Sequence, residues 1–187
     1  MMGRSIVWFN YNLRTSDNEA LTTALNSETC FPIFIKDTNE ELRQEGEAAD
    51  VWLKHALFDL SRTLDNKLSF FRGDAIDILV SLVKTHTISK VFYDRTYIPQ
   101  DEKRLLDIQK VLATHSCELI LTTQRTLWDI TSIQKFGGDL YTVFSPFYRK
   151  GCASKPKPKE CLLTPTDFSS LRSLPESIDL DECIKVS

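Results

Sequence analysis

At 187 residues the chain is long enough to bury one core without disulfide staples, and one domain is the default expectation. Apolar and charged fractions of 42% and 26% place it with ordinary globular proteins and away from disordered or collagen-like ones. A net charge of −3 argues against a chain whose main business is gripping a polyphosphate backbone, which needs a concentrated positive field.

The first predicted element is a buried strand over 5–10, Ser5-Ile-Val-Trp-Phe-Asn10. The loop Tyr11 to Asn18 follows and ends on an Asp/Asn cap before the helix former Glu19-Ala-Leu-Thr-Thr-Ala-Leu25. Nucleotide-binding α/β folds place glycines in this loop so that backbone can approach a phosphate. This one has none and offers Arg14 and Asp17, read as a buried or half-buried pair that shapes the loop.

Further strands are expected near 30–36, 68–72, 89–94 and 117–121, and helices near 18–26, 46–65, 74–86 and 101–115. The second helix carries a stripe of Trp52, Leu53, Ala56, Leu57, Leu60 and Leu64. Asp74 caps the third helix, whose stripe is Ile76, Leu79, Val80 and Val83. Short apolar strands joined by helical crossovers predict an α/β fold, doubly wound, with a mostly parallel five-stranded Rossmann-like sheet and helices on both faces. This domain is expected over 1–150. From Gly151 the texture changes to Lys155-Pro-Lys-Pro-Lys159 and an aperiodic remainder. Residues 151–187 therefore read as an interdomain-linker-like tail, poorly anchored at its end.

Five scattered cysteines with no Cys-x-x-Cys pair suit reduced thiols in a cytoplasmic protein. No long apolar run or signal-like start predicts a membrane span or secretion. His55, His86 and His115 share no spacing with acids or serines, so neither a nucleophile nor a metal is assigned. Gly137-Gly138-Asp139 reads as a turn and the basic run Arg149 to Lys159 as a solvated linker. Ligands of open α/β sheets sit at the carboxyl ends of the strands. Here those ends carry Asn10 to Arg14, Lys36 and Asp37, and Asp94 to Tyr97.

Val7-Trp-Phe-Asn-Tyr-Asn-Leu-Arg-Thr-Ser-Asp-Asn-Glu-Ala-Leu21 resembles the start of DNA photolyases and cryptochromes, Val-Trp-Phe-Arg-x-Asp-Leu-Arg-x-x-Asp-Asn-x-Ala-Leu. It departs only at Asn10 and Asn12. Pro32 to Asp37, Gly46 to Leu60, Arg72-Gly-Asp74, Val91 to Pro99 and Tyr141 to Arg149 are similar to later family segments, in order, over about the first 165 residues.

The resemblance implies the N-terminal α/β antenna domain of a deoxyribodipyrimidine photolyase or a cryptochrome, truncated or split. In that family the antenna absorbs light and passes excitation to FAD in a C-terminal helical domain. FAD then donates an electron to a cyclobutane dimer in DNA. Nothing in these residues resembles the flavin-binding helices, so FAD is expected only in a missing domain or a partner, and this chain alone is expected to be inactive. The implied antenna is methenyltetrahydrofolate, or a deazaflavin or flavin in some members. Gln100 and Asp101 match the Asn-Glu pair of folate-binding relatives, and an amide beside a carboxylate can bond a heterocycle edge. The competing reading makes them an ordinary helix start after Pro99. Arg43 stands where relatives place a ring-contacting His, or is a solvated arginine on an acidic loop.

The candidate antenna-binding set is Asn10, Asp37, Arg43, Asp94, Gln100 and Asp101, with no catalytic or metal residue. The aromatic cluster Val143 to Arg149 is expected to face a flavin-binding photolyase domain or to self-associate, with no direct DNA binding. The alternative functions are a non-photochemical small-molecule or nucleotide-binding module, or an inert remnant.

Overall fold

Strand β1 (Arg4–Phe9) lies at the centre of the sheet because both of its faces are apolar. Ile6 and Trp8 point into one core, while Val7 and Phe9 point into the other. The computed structural model describes residues 3–39, 42, 46–123 and 126–186; Arg43 lies outside the described residues. Around β1 stand β2 (Thr29–Asp37), β3 (Ser69–Gly73), β4 (Ile88–Asp94) and β5 (Glu118–Thr122). The order is β3-β2-β1-β4-β5, and every pairing is parallel. The chain winds outward from β1 to β3 and then crosses to β4, so strand order reverses between β1 and β4.

The crossovers are α1 (Glu19–Ala24), α2 (Glu47–Thr63), α3 (Ala75–His86) and α4 (Pro99–Thr114). Leu79, Leu82 and Val83 of α3 and Leu105, Ile108 and Leu112 of α4 pack on the Ile6/Trp8 face. Ala20, Leu21 and Ala24 of α1 and Leu57 and Leu60 of α2 pack on the Val7/Phe9 face. The capping residues behave as their chemistry dictates. Asn18 Oδ1 accepts from the Leu21 N–H at 3.0 Å, and Asp74 Oδ1 accepts from the Ile76 N–H at 2.8 Å. One stripe residue differs from expectation: Trp52 is 77% exposed, because the buried line of α2 runs through Leu57 and Leu60. The Arg14–Asp17 pair forms at 3.3 Å, with Asp17 half-buried as expected and Arg14 exposed.

The tail departs most from the sequence reading. Instead of trailing as a weakly held linker, residues 162–184 return across the Val7/Phe9 face and around the β3 edge, where Leu174 enters the Ile6/Trp8 core. Cys30 N donates to Ser170 O at 3.0 Å and Arg172 N donates to Cys30 O at 2.9 Å. Ile178 N donates to Phe70 O at 3.0 Å. Leu171, Leu174, Cys183 and Ile184 are buried to 3% exposure or less. His86 at the end of α3 meets the Glu176 carboxylate at 3.0 Å. The aperiodic tail thus covers the open edge of β3, a backbone row that would otherwise invite pairing with another chain. Among the described residues no helix is long and apolar enough to cross a membrane.

Candidate functional site

A cleft of ≈ 690 Å³ opens over the carboxyl ends of β1, β2 and β4, at the reversal of strand order. Asn10 and Tyr11 leave β1 into it, Lys36 and Asp37 end β2, and Gln100 and Asp101 begin α4. Trp8 and Tyr93 lie on its inner side, ring centroids 4.5 Å apart and planes at 48°. Four of the six candidate residues, Asn10, Asp37, Gln100 and Asp101, line this one cleft.

Asp94 does not. Its two oxygens accept from Asn12 Nδ2 at 3.1 Å and Thr122 Oγ1 at 3.3 Å, which ties the β1 loop to β4 and β5 beneath the surface. Both departures from the family pattern have work here: Asn12 holds Asp94, and Asn10 Nδ2 donates to the Tyr93 hydroxyl.

Two ion pairs brace the walls. Lys36 Nζ reaches Asp50 Oδ1 of α2 at 2.6 Å. Arg104, one turn past Gln100 on α4, reaches Asp37 Oδ2 at 3.5 Å and also bonds the Asp74 carboxylate. Burial pushes the Asp74 carboxyl upward, but Arg104, the Asp77 N–H and Asn39 outweigh it and hold the group below the usual carboxylate range. Arg104 is absent from the sequence-based set, although its spacing of four from Gln100 puts both on one side of α4. Trp8 brings a further feature to the cleft. Its indole Nε1 is buried, with no hydrogen-bond acceptor among the described residues.

The cysteines take no part. Burial pushes the Cys30 thiol up to about 12 and those of Cys117 and Cys183 up to about 11, so these three are unreactive at neutral pH. Among the described residues no cluster of three or more His, Cys, Asp or Glu is placed to hold a metal.

The family model for DNA photolyase matches residues 5–165. The chain belongs to the DNA photolyase family. It is 30% identical over 149 residues to cryptochrome-1 of Anopheles gambiae, covering 73% of this chain and 27% of that protein. It is 29% identical over 148 residues to a deoxyribodipyrimidine photo-lyase of Agrobacterium fabrum, covering 77% of this chain and 30% of that one. The crystal structure of a class III photolyase from Agrobacterium tumefaciens superposes with a TM-score of 0.87 at 26% identity, over 97% of this chain and 38% of the other. This photolyase-family chain therefore spans roughly a quarter to two-fifths of the relatives it matches.

Proposed function

We propose that this photolyase-family domain binds a light-harvesting antenna chromophore in the cleft between β1, β2, β4 and α4, for transfer of excitation to a flavin on another domain or partner. The observation that carries the reading is the convergence of Asn10, Asp37, Gln100 and Asp101 on one cleft at the strand-order reversal. The residues suit a planar heterocycle. The Gln100 amide and Asp101 carboxylate offer donors and an acceptor to a ring edge, and the Trp8/Tyr93 pair gives an apolar inner side. The buried Trp8 N–H lacks an acceptor that such a ring can supply. Lys36 and Arg104 are each matched by carboxylates, which favours methenyltetrahydrofolate over a phosphate-bearing flavin. When bound, the chromophore supplies the absorption; the chain supplies orientation and a dry wall.

Titration of the purified chain with methenyltetrahydrofolate is expected to give saturable binding, followed by absorbance. Asp101→Ala should weaken it roughly tenfold or more, the worth of one charge-assisted ring-edge hydrogen bond. An unchanged isotherm would favour the non-photochemical module or the inert remnant.

The same reading assigns a docking face for the flavin-binding domain. Phe144 and Tyr148 stack with planes 12° apart and are 73% and 52% exposed, beside an exposed Val143. Single exposed apolar residues are ordinary, whereas contiguous aromatic exposure of this kind favours a contact surface. The chain is expected to self-associate at high concentration or to bind a separately supplied flavin domain. Phe144→Ser with Tyr148→Ser should abolish both in sedimentation velocity. A strictly monomeric wild type that takes up no hydrophobic dye would remove this docking face.

A further inference from the structure

A second cleft, of ≈ 510 Å³, opens on the far side of the β1 loop from the first. One wall is the loop itself, through Arg14 and Asp17. A second is formed by Thr123, Thr126, Trp128 and Asp129, which follow β5. The third is the tract Lys155-Pro-Lys-Pro-Lys159, which the sequence alone presents as a solvated linker.

The tract is held at both ends. Trp128 Nε1 donates to Pro156 O at 2.8 Å. Beyond the tract, Leu162 N donates to Asp17 Oδ1 at 3.2 Å, while Asp17 N donates to Leu162 O at 2.8 Å. Two prolines restrict the backbone between these ties, so the main chain that carries the lysines has little conformational entropy left to lose.

The charges are divided in a way that suggests a ligand. Lys159 pairs with Glu19 at 3.6 Å and Arg14 with Asp17 at 3.3 Å, whereas Lys155 and Lys157 have no carboxylate partner among the described residues. Asp129 faces the same cleft. The Thr131 hydroxyl, against the opposing push of burial, together with the Thr131 N–H and Tyr97, holds its carboxyl below the usual range, so it is charged at neutral pH. A long polyanion laid along this groove would meet Asp17 and Asp129 as well as the lysines. A compact ligand escapes that repulsion: its anionic end can lie on Lys155 and Lys157 while amino or hydroxyl groups donate to the carboxylates opposite.

We propose that this cleft is a binding site for a nucleotide-sized phosphate ester, separate from the antenna cleft. The site grips through lysines on a tethered tract, without the glycine-rich loop that α/β folds ordinarily use for phosphate. The cleft volume lies within the range of small-ligand pockets.

Isothermal titration of the purified chain with ATP and with inorganic pyrophosphate tests this. The expected result is saturable binding of ATP that weakens with added salt. In the Lys155→Ala/Lys157→Ala variant binding should weaken about tenfold or more, the loss of two charge-assisted contacts. Both lysines lie outside the apolar cores, so the variant retains the fold; circular dichroism checks it. A Lys84→Ala/Lys110→Ala control removes the same charge at the opposite end of the sheet, late in α3 and α4, and should bind as wild type. Absence of saturable binding, or equal losses in the two double variants, overturns the proposal. Oligothymidylate binding that tightens with length while ATP fails to bind also overturns it, and assigns the groove to single-stranded nucleic acid instead.

Discussion

A chain ending at Thr164 is expected to lose its cooperative fold. The removed segment carries Leu171, Leu174 and Ile184, each all but inaccessible to water. Burying an aliphatic side chain of this size contributes about 1.5–3 kcal/mol, so the three together supply roughly 6 kcal/mol. That is comparable with the whole stability of an ordinary domain, about 5–15 kcal/mol. The loss does not end with those side chains. Leu57 and Leu64 of the α2 region and Phe70 of β3 share their core with the tail and become wetted, and the Phe70 and Cys30 backbones lose their tail partners. Urea titration followed by far-ultraviolet circular dichroism should show a broad, non-cooperative change for residues 1–164 and a sharp one for the full chain. Leu171→Ala offers a graded version, with an expected loss of about 2–5 kcal/mol. A truncated chain that unfolds sharply at the wild-type midpoint would restore the tail to the status of a linker.

The second large effect is expected at Asp74. One oxygen caps α3 through the Ile76 and Asp77 N–H groups at 2.8 and 3.3 Å. The other bonds Arg104, the cation that braces the cleft at the strand-order reversal. Asp74→Ala removes both jobs and should cost about 2–4 kcal/mol, a cap plus one charge-assisted pair. Asp74→Asn retains an acceptor for the cap and loses only the charge. Its behaviour with pH follows from the direction of the shift. The folded carboxyl titrates below its ordinary value of 3.8, so its stabilisation is complete above that value and is lost as pH falls through the lower folded one. The stability gap between wild type and Asp74→Asn should therefore be full at pH 7 and close on acidification below about pH 4. A gap that stays constant down to that range would mean the charge contributes nothing.

Much of this was legible in the residues. All nine strands and helices of the sheet layers begin and end within two residues of their expected bounds, because apolar β-branched runs and Asp/Asn caps are local signals. Parallel pairing followed from crossovers too long for hairpins. The cleft was half legible. Asn10, Asp37, Gln100 and Asp101 stand at strand and helix ends, where the fold dictates an opening, and the structure brings them together. Asp94 also ends a strand, yet it is consumed by Asn12 and Thr122, a pairing between distant segments that no spacing announces. Arg104 escaped for the same reason, since its partners Asp37 and Asp74 come from other elements. The tail was misread because its contacts are neither helical nor regularly paired. Leu171 and Ile184 have no period, only isolated bridges to β2 and β3 and a single short turn, Leu180–Cys183. The family match also stops at residue 165, so a boundary placed there would cut through the core.

The return of the tail also sets an order of events during synthesis. β1 can pair with β2 and β4 once the first third to half of the chain has emerged, whereas the tail ties residues that are far apart. Leu162 bonds Asp17 across 145 residues, and Cys183 Sγ reaches the Phe71 carbonyl across 112. Contacts of such separation carry the largest loop-closure cost and form late. Until Leu171 leaves the ribosome, the nascent sheet carries a bare β3 edge and an unfilled seat beneath α2. That interval is when nascent chains are most open to mispairing with one another.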